Sequence, residues 1–170
     1  MRVLLTFLLL LAATAAAGCG TERRETPAPA AISDATGPSD AMPAEIEGEG
    51  YSGVRMTPER WAGHPEPEGT LFQASEDEVA AAERALAAGL AASSDPRVAE
   101  IVGRLGDYVR QYIGVERDGS RLLYVNAFCD AAGLDPKTQV VAVEDGGTCF
   151  WQALIDADGT VLELRINGDA

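Results

Sequence analysis

Apolar residues in the middle of the chain repeat with a helical period. One stripe recurs at intervals of three and four residues: Val79, Ala82, Leu86 and Leu90. It follows Ser75-Glu76-Asp77-Glu78, a capping box in which Ser75 and Glu78 exchange hydrogen bonds at the start of a helix. A main helix is therefore predicted from this box to about Ala92.

A second, shorter helix is predicted after the cluster Ser93-Ser94-Asp95-Pro96. Asp95 is placed to cap this helix, and Pro96 falls in its first turn. Its predicted apolar face consists of Val98, Ile101, Val102 and Leu105.

From Asp107 onward the period changes to two, which indicates strands. Segments 108–116 and 121–129 flank Asp118-Gly119, a strong signal for a two-residue hairpin turn. That turn pairs Arg117 with Ser120 and fixes the register of the whole hairpin. One face then carries four pairs: Val115 with Leu122, Ile113 with Tyr124, Gln111 with Asn126, and Val109 with Phe128.

Three further strands are predicted, over 138–143, 149–155 and 160–166. The last two form a hairpin over Asp156-Ala157-Asp158-Gly159. In the final strand three residues are expected to face the core: Leu162, Leu164 and Ile166. The turn allows two hairpin registers that differ by one residue. One register points Trp151 inward and the other points Phe150 inward, and both registers remain open.

Helices followed by an antiparallel run of strands form the α+β pattern. The expected domain covers 75–170, with one main helix and a short helix on a four- to five-stranded antiparallel sheet. In the order of its elements this domain resembles cystatin-like folds and the smaller cone-shaped sheets.

The first 18 residues have the organisation of an export signal. Arg2 is followed by an apolar run over 3–11 and a tract of small residues over 12–18. The run is too short to span a bilayer. Ala16-Ala17-Gly18-Cys19 resembles the lipobox of bacterial lipoproteins, with Ala16 where the family usually has Leu. The resemblance implies cleavage before Cys19 and acylation of its sulfur.

Acylation of Cys19 would anchor the chain to a membrane, because each buried methylene contributes about 0.8 kcal/mol. Gly20 stands where Asp favours inner-membrane retention in the family. The resemblance thus implies the outer membrane of a diderm cell, or otherwise the outer face of the plasma membrane. The alternative is an ordinary secretory signal that ends near a cysteine.

Residues 19–50 are predicted to form a disordered, acidic and Pro-rich tether, because their composition cannot bury enough apolar surface to fold. Residues 51–74 are more apolar. They are expected to form an extended or short-helical segment that packs on the domain through Trp61 and Phe72.

Charge and composition exclude several classes. The 170 residues carry 13 Lys and Arg against 27 Asp and Glu, a net charge of −14. Nucleic acid is excluded as a partner because binding phosphate backbones requires clustered cations. One histidine, His64, and three cysteines cannot build a zinc finger or a multi-histidine metal site. His64 has no partner group nearby in sequence and is expected on a loop surface.

Cys129 and Cys149 remain once Cys19 is modified. Outside the cytosol two such thiols usually pair, and a structural disulfide is predicted. A redox role would favour close C-x-x-C spacing. Free buried thiols are the third option.

No catalytic residues, metal or cofactor are predicted. Asp156-Ala157-Asp158-Gly159-Thr160 imitates the start of a calcium loop but lacks later ligands, since Asn167 stands where the terminal Glu belongs. A hairpin turn is the preferred interpretation. The serine-hydrolase, zinc-protease and phosphate-loop motifs are absent from the sequence.

One amide pair interrupts an apolar strand face. Gln111 and Asn126 are either a satisfied polar pair or part of a ligand-facing patch with Tyr124 and Phe128.

These features favour a non-catalytic binding module anchored in the cell envelope, with another envelope protein as its partner. The second hypothesis is an enzyme or small-ligand carrier with a pocket in a cone-like sheet, and the third is a structural spacer. A deep pocket that holds an acid beside a polar partner would favour the second hypothesis. A shallow, aromatic surface would favour the first.

Overall fold

The structure is a computed structural model that describes residues 42–64 and 67–168. Within these residues the predicted α+β class is confirmed. The strands are β1 (Ala44–Gly48), β2 (Tyr51–Arg55), β3 (Thr70–Phe72), β4 (Val109–Arg117), β5 (Ser120–Phe128), β6 (Phe150–Ile155) and β7 (Val161–Ile166). The helices are α1 (Pro58–Trp61), α2 (Glu76–Ala91) and α3 (Val98–Gly103), with short 3-10 turns at Leu105–Asp107 and Gly147–Cys149.

The described strands form one seven-stranded sheet in the order β1-β2-β4-β5-β6-β7, with β3 also paired to β4. All pairs are antiparallel except β2 with β4. The sheet therefore has more strands than the four or five expected. Among the described residues, no helix is both long enough and apolar enough to cross a bilayer.

The central hairpin has the register that its turn predicts. Arg117 pairs with Ser120, and Gln111 pairs with Asn126. Asp118 and Gly119 both have positive φ, as a tight hairpin turn of this kind requires. The sequence of this turn therefore fixes which side chains of β4 and β5 share a face.

Helix α2 lies across one face of the sheet, which we call the helix face. The predicted capping box is present: the Ser75 hydroxyl accepts from the Glu78 N–H, and Ser75 N–H donates to Glu78. The apolar stripe of α2 packs against the inward side chains of the strands: Tyr112, Val125, Trp151, Ala153 and Ile155.

Helix α3 begins at Val98, two residues after the predicted start at Pro96. The Asp95 carboxylate accepts from the Arg97 N–H, 2.9 Å away, but this contact lies before the helix. Val98 and Ile101 are buried on the helix face, while Val102 and Leu105 are only partly buried there.

The N-terminal strands correct the expected end of the tether. Residues 44–48, placed in the tether, form β1 because Ile46 packs on the helix-face core while its acidic neighbours face outward. The signal, Cys19 and the rest of the tether up to residue 41 lie outside the described residues.

Segment 51–74 is part of the sheet rather than only packed upon it, because β2 and β3 both pair with β4. Trp61, at the end of α1, is buried as expected. Phe72 is only partly buried, with the Arg121 guanidinium 3.8 Å from its ring centre.

The predicted strand over 138–143 is wrong. This stretch is irregular, and we call residues 136–143 the cover segment because it lies over the sheet face opposite α2. Val140 and Val141 are buried, which explains the strand-like pattern. Part of the backbone of the cover segment forms hydrogen bonds with side-chain amides instead of with a neighbouring strand.

Strand β7 departs from the predicted alternation at Leu162, which is 47% exposed. A bulge between Leu154 and Ile155 pairs Ile155 with Val161, so that Val161 faces the core instead. Trp151 and Phe150 are both buried because they lie on opposite faces, Trp151 under α2 and Phe150 beside Phe128.

Candidate functional site

The Gln111–Asn126 pair holds the cover segment. Gln111 Nε2 donates to the carbonyls of Pro136 at 2.8 Å and Gln139 at 2.6 Å, and Gln111 Oε1 accepts from Val141 N–H at 3.0 Å. Asn126 Nδ2 donates to Gln111 Oε1 at 3.1 Å and to the Val141 carbonyl at 2.8 Å. Both amides are thus engaged within the protein, as in the satisfied-pair interpretation.

The four residues of the predicted patch separate into two environments. Gln111 is 0% exposed and Phe128 1% exposed, and Phe128 packs with Val141 and Phe150. Tyr124 and Asn126 instead line an open groove on the same sheet face. Only these two of the four contribute to a surface that a ligand can reach.

We call this opening the aromatic groove. Its volume is about 330 Å³, and it lies between the cover segment, α1 and the strands β5 to β7. The rings of Trp61 and Tyr124 form one wall, edge to face with centroids 5.6 Å apart. Gln152, Arg165 and Asn167 supply the polar part.

The aromatic groove continues onto neighbouring surface. Tyr124, Gln152 and Arg165 also line a second depression, which extends toward Glu163 on β7. We call the two depressions together the open face. It is shallow and broad, and its residues come from several strands.

Two polar groups of the groove lack partners in the described part of the chain. Arg165 forms no ion pair there, although Glu163 and Glu144 lie nearby along the groove surfaces. Asn167 is 3% exposed, and its Oδ1 has no hydrogen-bond donor among those residues. Its Nδ2 donates to the Val143 carbonyl.

Tyr124 connects the apolar and charged parts of the groove. Burial raises the pKa of its hydroxyl above the ordinary value, and Arg165 opposes that shift. The phenol is therefore neutral at physiological pH. It can donate or accept a hydrogen bond at the groove surface.

The helix face contains a buried ionic cluster of Glu83, Arg110 and Tyr112. Arg110 Nε lies 3.1 Å from Glu83 Oε1, outside hydrogen-bond alignment, and the two side chains are only 1% and 6% exposed. The Tyr112 hydroxyl donates to Glu83 at 2.8 Å. Burial raises the pKa of Glu83, and Arg110 and Tyr112 offset this only in part.

Each terminal nitrogen of Arg110 donates to a main-chain carbonyl, Nη1 to Tyr108 at 3.2 Å and Nη2 to Leu105 at 2.7 Å. The five main depressions of the described surface are lined by other residues. This cluster is therefore an acid beside polar partners, but it lies within packed structure rather than in an accessible pocket.

Cys129 and Cys149 lie at disulfide distance, with Cα atoms 5.1 Å apart. This geometry fits the predicted disulfide. The loop between them carries the cover segment. The two residues are also joined through the main chain, where Cys129 N–H donates to the Cys149 carbonyl at 3.0 Å.

The calcium-like sequence forms a hairpin turn. Asp156 Oδ1 accepts from the N–H groups of Asp158 at 3.0 Å and Thr160 at 2.8 Å, so this carboxylate closes the turn. Across residues 42–64 and 67–168 there is no cluster of three or more acidic, histidine or cysteine side chains that could hold a metal.

Comparisons of the chain with protein-family models, with curated proteins and with solved structures found no match.

Sequence reasoning identified Tyr124 and Asn126 but missed Arg165 and Asn167. Arg165 lies on the exposed side of β7, and nothing in its local sequence pattern marks a groove.

Proposed function

We propose that the chain is a lipid-anchored protein of the cell envelope, and that its folded domain binds a partner outside the cytosol through the open face. The lipobox-like Ala16-Ala17-Gly18-Cys19 supports the anchor. The observation that carries the binding role is the open face itself. It is a shallow surface in which the ring of Tyr124, backed by the buried Trp61, adjoins Arg165, an arginine without an ion-pair partner in the described residues.

A shallow aromatic surface is typical of protein recognition. Tyr, Trp and Arg are the residues most often found at the energetic centres of interfaces. An enzyme is less well supported, because Glu83, a buried acid whose pKa is raised by burial, lies within packed structure on the other side of the sheet.

The anchor and the binding role are tested separately. Mass spectrometry of the full chain isolated from its own envelope should find a mature product that begins at an acylated Cys19. An intact leader, or a free thiol at Cys19, would contradict the anchor.

For the binding role, the tethered protein is captured from mildly crosslinked envelopes. We expect one or more specific partners, and we expect their recovery to fall when Tyr124 is replaced by Ala. Arg84, an exposed residue on α2, is the matched control site. Equal recovery by wild type, Y124A and R84A would contradict a binding role for the open face and favour the spacer hypothesis.

A further inference from the structure

We propose that the aromatic groove binds the carboxyl terminus of a peptide, with the terminal carboxylate on Arg165 and a main-chain N–H on Asn167 Oδ1. This inference rests on the proposed binding function and deepens it by naming the ligand class. It rests on the charge of Arg165, on Asn167 Oδ1, which has no donor among the described residues, and on the apolar lining of the groove.

The first observation is the state of Arg165. The described residues include ten cations, and seven of them form ion pairs: Arg55, Arg97, Arg104, Arg110, Arg117, Arg121 and Lys137. In the same part of the chain Arg60, Arg84 and Arg165 form none. Arg165 alone of these three lines one of the main depressions. In a protein with this excess of acid, a groove cation that has no ion-pair partner among the described residues is well placed for an anionic ligand.

The second observation is the unpaired acceptor. Buried carbonyl oxygens almost always accept a hydrogen bond, because leaving one without a donor is costly. Asn167 Oδ1 is buried and has no donor among the described residues, and Asn167 lines the same groove as Arg165. A ligand that brings an N–H group would satisfy it.

The charges around Arg165 select among anions. Glu144 belongs to the lining of the aromatic groove, and Glu163 to the adjoining depression. Glu163 also pairs with Arg117 at 2.8 Å, which offsets part of its charge, and together the two carboxylates disfavour a dianion such as phosphate more than a monoanion. They tolerate a carboxylate carried by a molecule that also has N–H donors. The end of a peptide chain has both groups within one residue.

The walls fit the rest of such a ligand. Tyr124 presents an apolar side against which a terminal side chain can pack, and the buried Trp61 and Val140 support it from behind. The volume of about 330 Å³ lies at the lower end of the range for small-ligand sites, which suits one or two residues rather than a long segment.

The test uses the full chain with Cys19→Ser, so that the protein is isolated without lipid. The probe is N-acetyl-Ala-Leu, added as the free acid or as its C-terminal amide, and binding is followed through the ¹⁵N resonances of Arg165 and Asn167. We expect saturable shifts with the free acid. We expect at least about tenfold weaker binding for the amide, since a charge-assisted pair is worth a factor of that size.

R165Q and R84Q each remove one arginine charge, the first in the aromatic groove and the second on α2. R165Q should weaken binding of the free acid about tenfold, and R165K should retain part of it. R84Q removes an exposed arginine of α2 that also forms no ion pair within 42–64 and 67–168, and it should leave the affinity unchanged. Far-UV circular dichroism of each variant confirms that it is folded.

Several results would overturn the inference: equal binding of acid and amide, phosphate binding as tightly as the free acid, equal losses in R165Q and R84Q, or no shift in a folded domain. These results are distinguishable from failure of the proposed function. A partner captured from the envelope through Tyr124 but unaffected by R165Q would preserve the binding role and reject carboxylate recognition.

Discussion

The two faces of the sheet are closed by different kinds of structure. On the helix face α2 satisfies its own backbone, so its apolar stripe can pack directly on the strands. The ionic cluster of Glu83, Arg110 and Tyr112 is enclosed there, with the Tyr112 hydroxyl donating to Glu83 and Arg110 Nε outside hydrogen-bond alignment. On the other face the cover segment has no regular structure, and the side chains of Gln111 and Asn126 bind its backbone. An irregular cover leaves part of the sheet unprotected, and that part is the open face.

The two faces should therefore respond differently to substitutions. Loss of a group on the helix face exposes a buried charge or a cavity in the main core. Loss of a group on the other face releases the cover segment while the main core stays packed. Urea unfolding and hydrogen exchange distinguish these two responses.

The largest loss is expected from Arg110→Ala on the helix face. Removing this cation leaves Glu83 buried without its partner, and disrupting such a pair costs about 3–5 kcal/mol. Urea unfolding measures the loss. The double variant E83Q/R110M removes both charges and should be distinctly more stable than R110A. A loss under about 1 kcal/mol in R110A would show that the cluster is solvated rather than enclosed.

The disulfide is expected to have the next largest effect. Replacing both Cys129 and Cys149 by Ser opens a loop with a sequence separation of 20, and the chain-entropy model gives a loss of about 3 kcal/mol. The wild type treated with a reductant is the matched comparison. If oxidised and reduced wild type unfold at the same urea concentration, the pair contributes nothing to holding the cover segment.

Gln111→Leu should loosen the cover segment selectively. The change leaves the carbonyls of Pro136 and Gln139 without their donor, at a cost of about 2 kcal/mol. Hydrogen exchange should accelerate at Val141 and change little in α2.

Gln152→Leu is the control for Gln111→Leu, because that amide lies on the same sheet face and donates only one bond, at 3.3 Å to Asn126. Equal acceleration of exchange in Q152L and Q111L would contradict the role given to Gln111.

The smallest effect is expected at the start of α2, with Glu78→Gln. Burial opposes ionisation of Glu78, but hydrogen bonds from Arg121 and Ser75 outweigh it and lower the pKa below its ordinary 4.5. A lowered folded-state pKa gives stability that is present above 4.5 and is lost as the pH falls through the folded value.

Glutamine keeps the capping hydrogen bond of Glu78 but does not titrate. E78Q should therefore be less stable than wild type by under about 1 kcal/mol at neutral pH, and the difference should vanish in acid. Urea titrations at several pH values measure it. A difference that grows toward low pH would contradict the sign of this shift.

Features specified locally were predictable from the sequence. The Ser75–Glu78 box and its apolar stripe located α2, and Asp118-Gly119 fixed every pair of the central hairpin. Each of these depends on residues close together in the chain, so tertiary structure had little freedom to override them.

Features specified by distant contacts were not predictable. The acidic composition around Ile46 is typical of a tether, although the apolar and acidic residues of β1 alternate as in a strand. Val140 and Val141 have the pattern of a strand, but the side-chain amides of Gln111 and Asn126 bind the backbone of Val141. The open face is the area that the cover segment leaves bare, so no local pattern marks Arg165 or Asn167.

The central claim is that the open face, rather than the helix face, receives the partner. A photo-crosslinking amino acid is placed in the anchored protein at Glu163, on the open face, or at Arg84, on the exposed side of α2. Irradiation of intact cells should give a discrete adduct from position 163 and none from position 84. An adduct from position 84 alone, or the same adduct from both positions, would contradict the assignment.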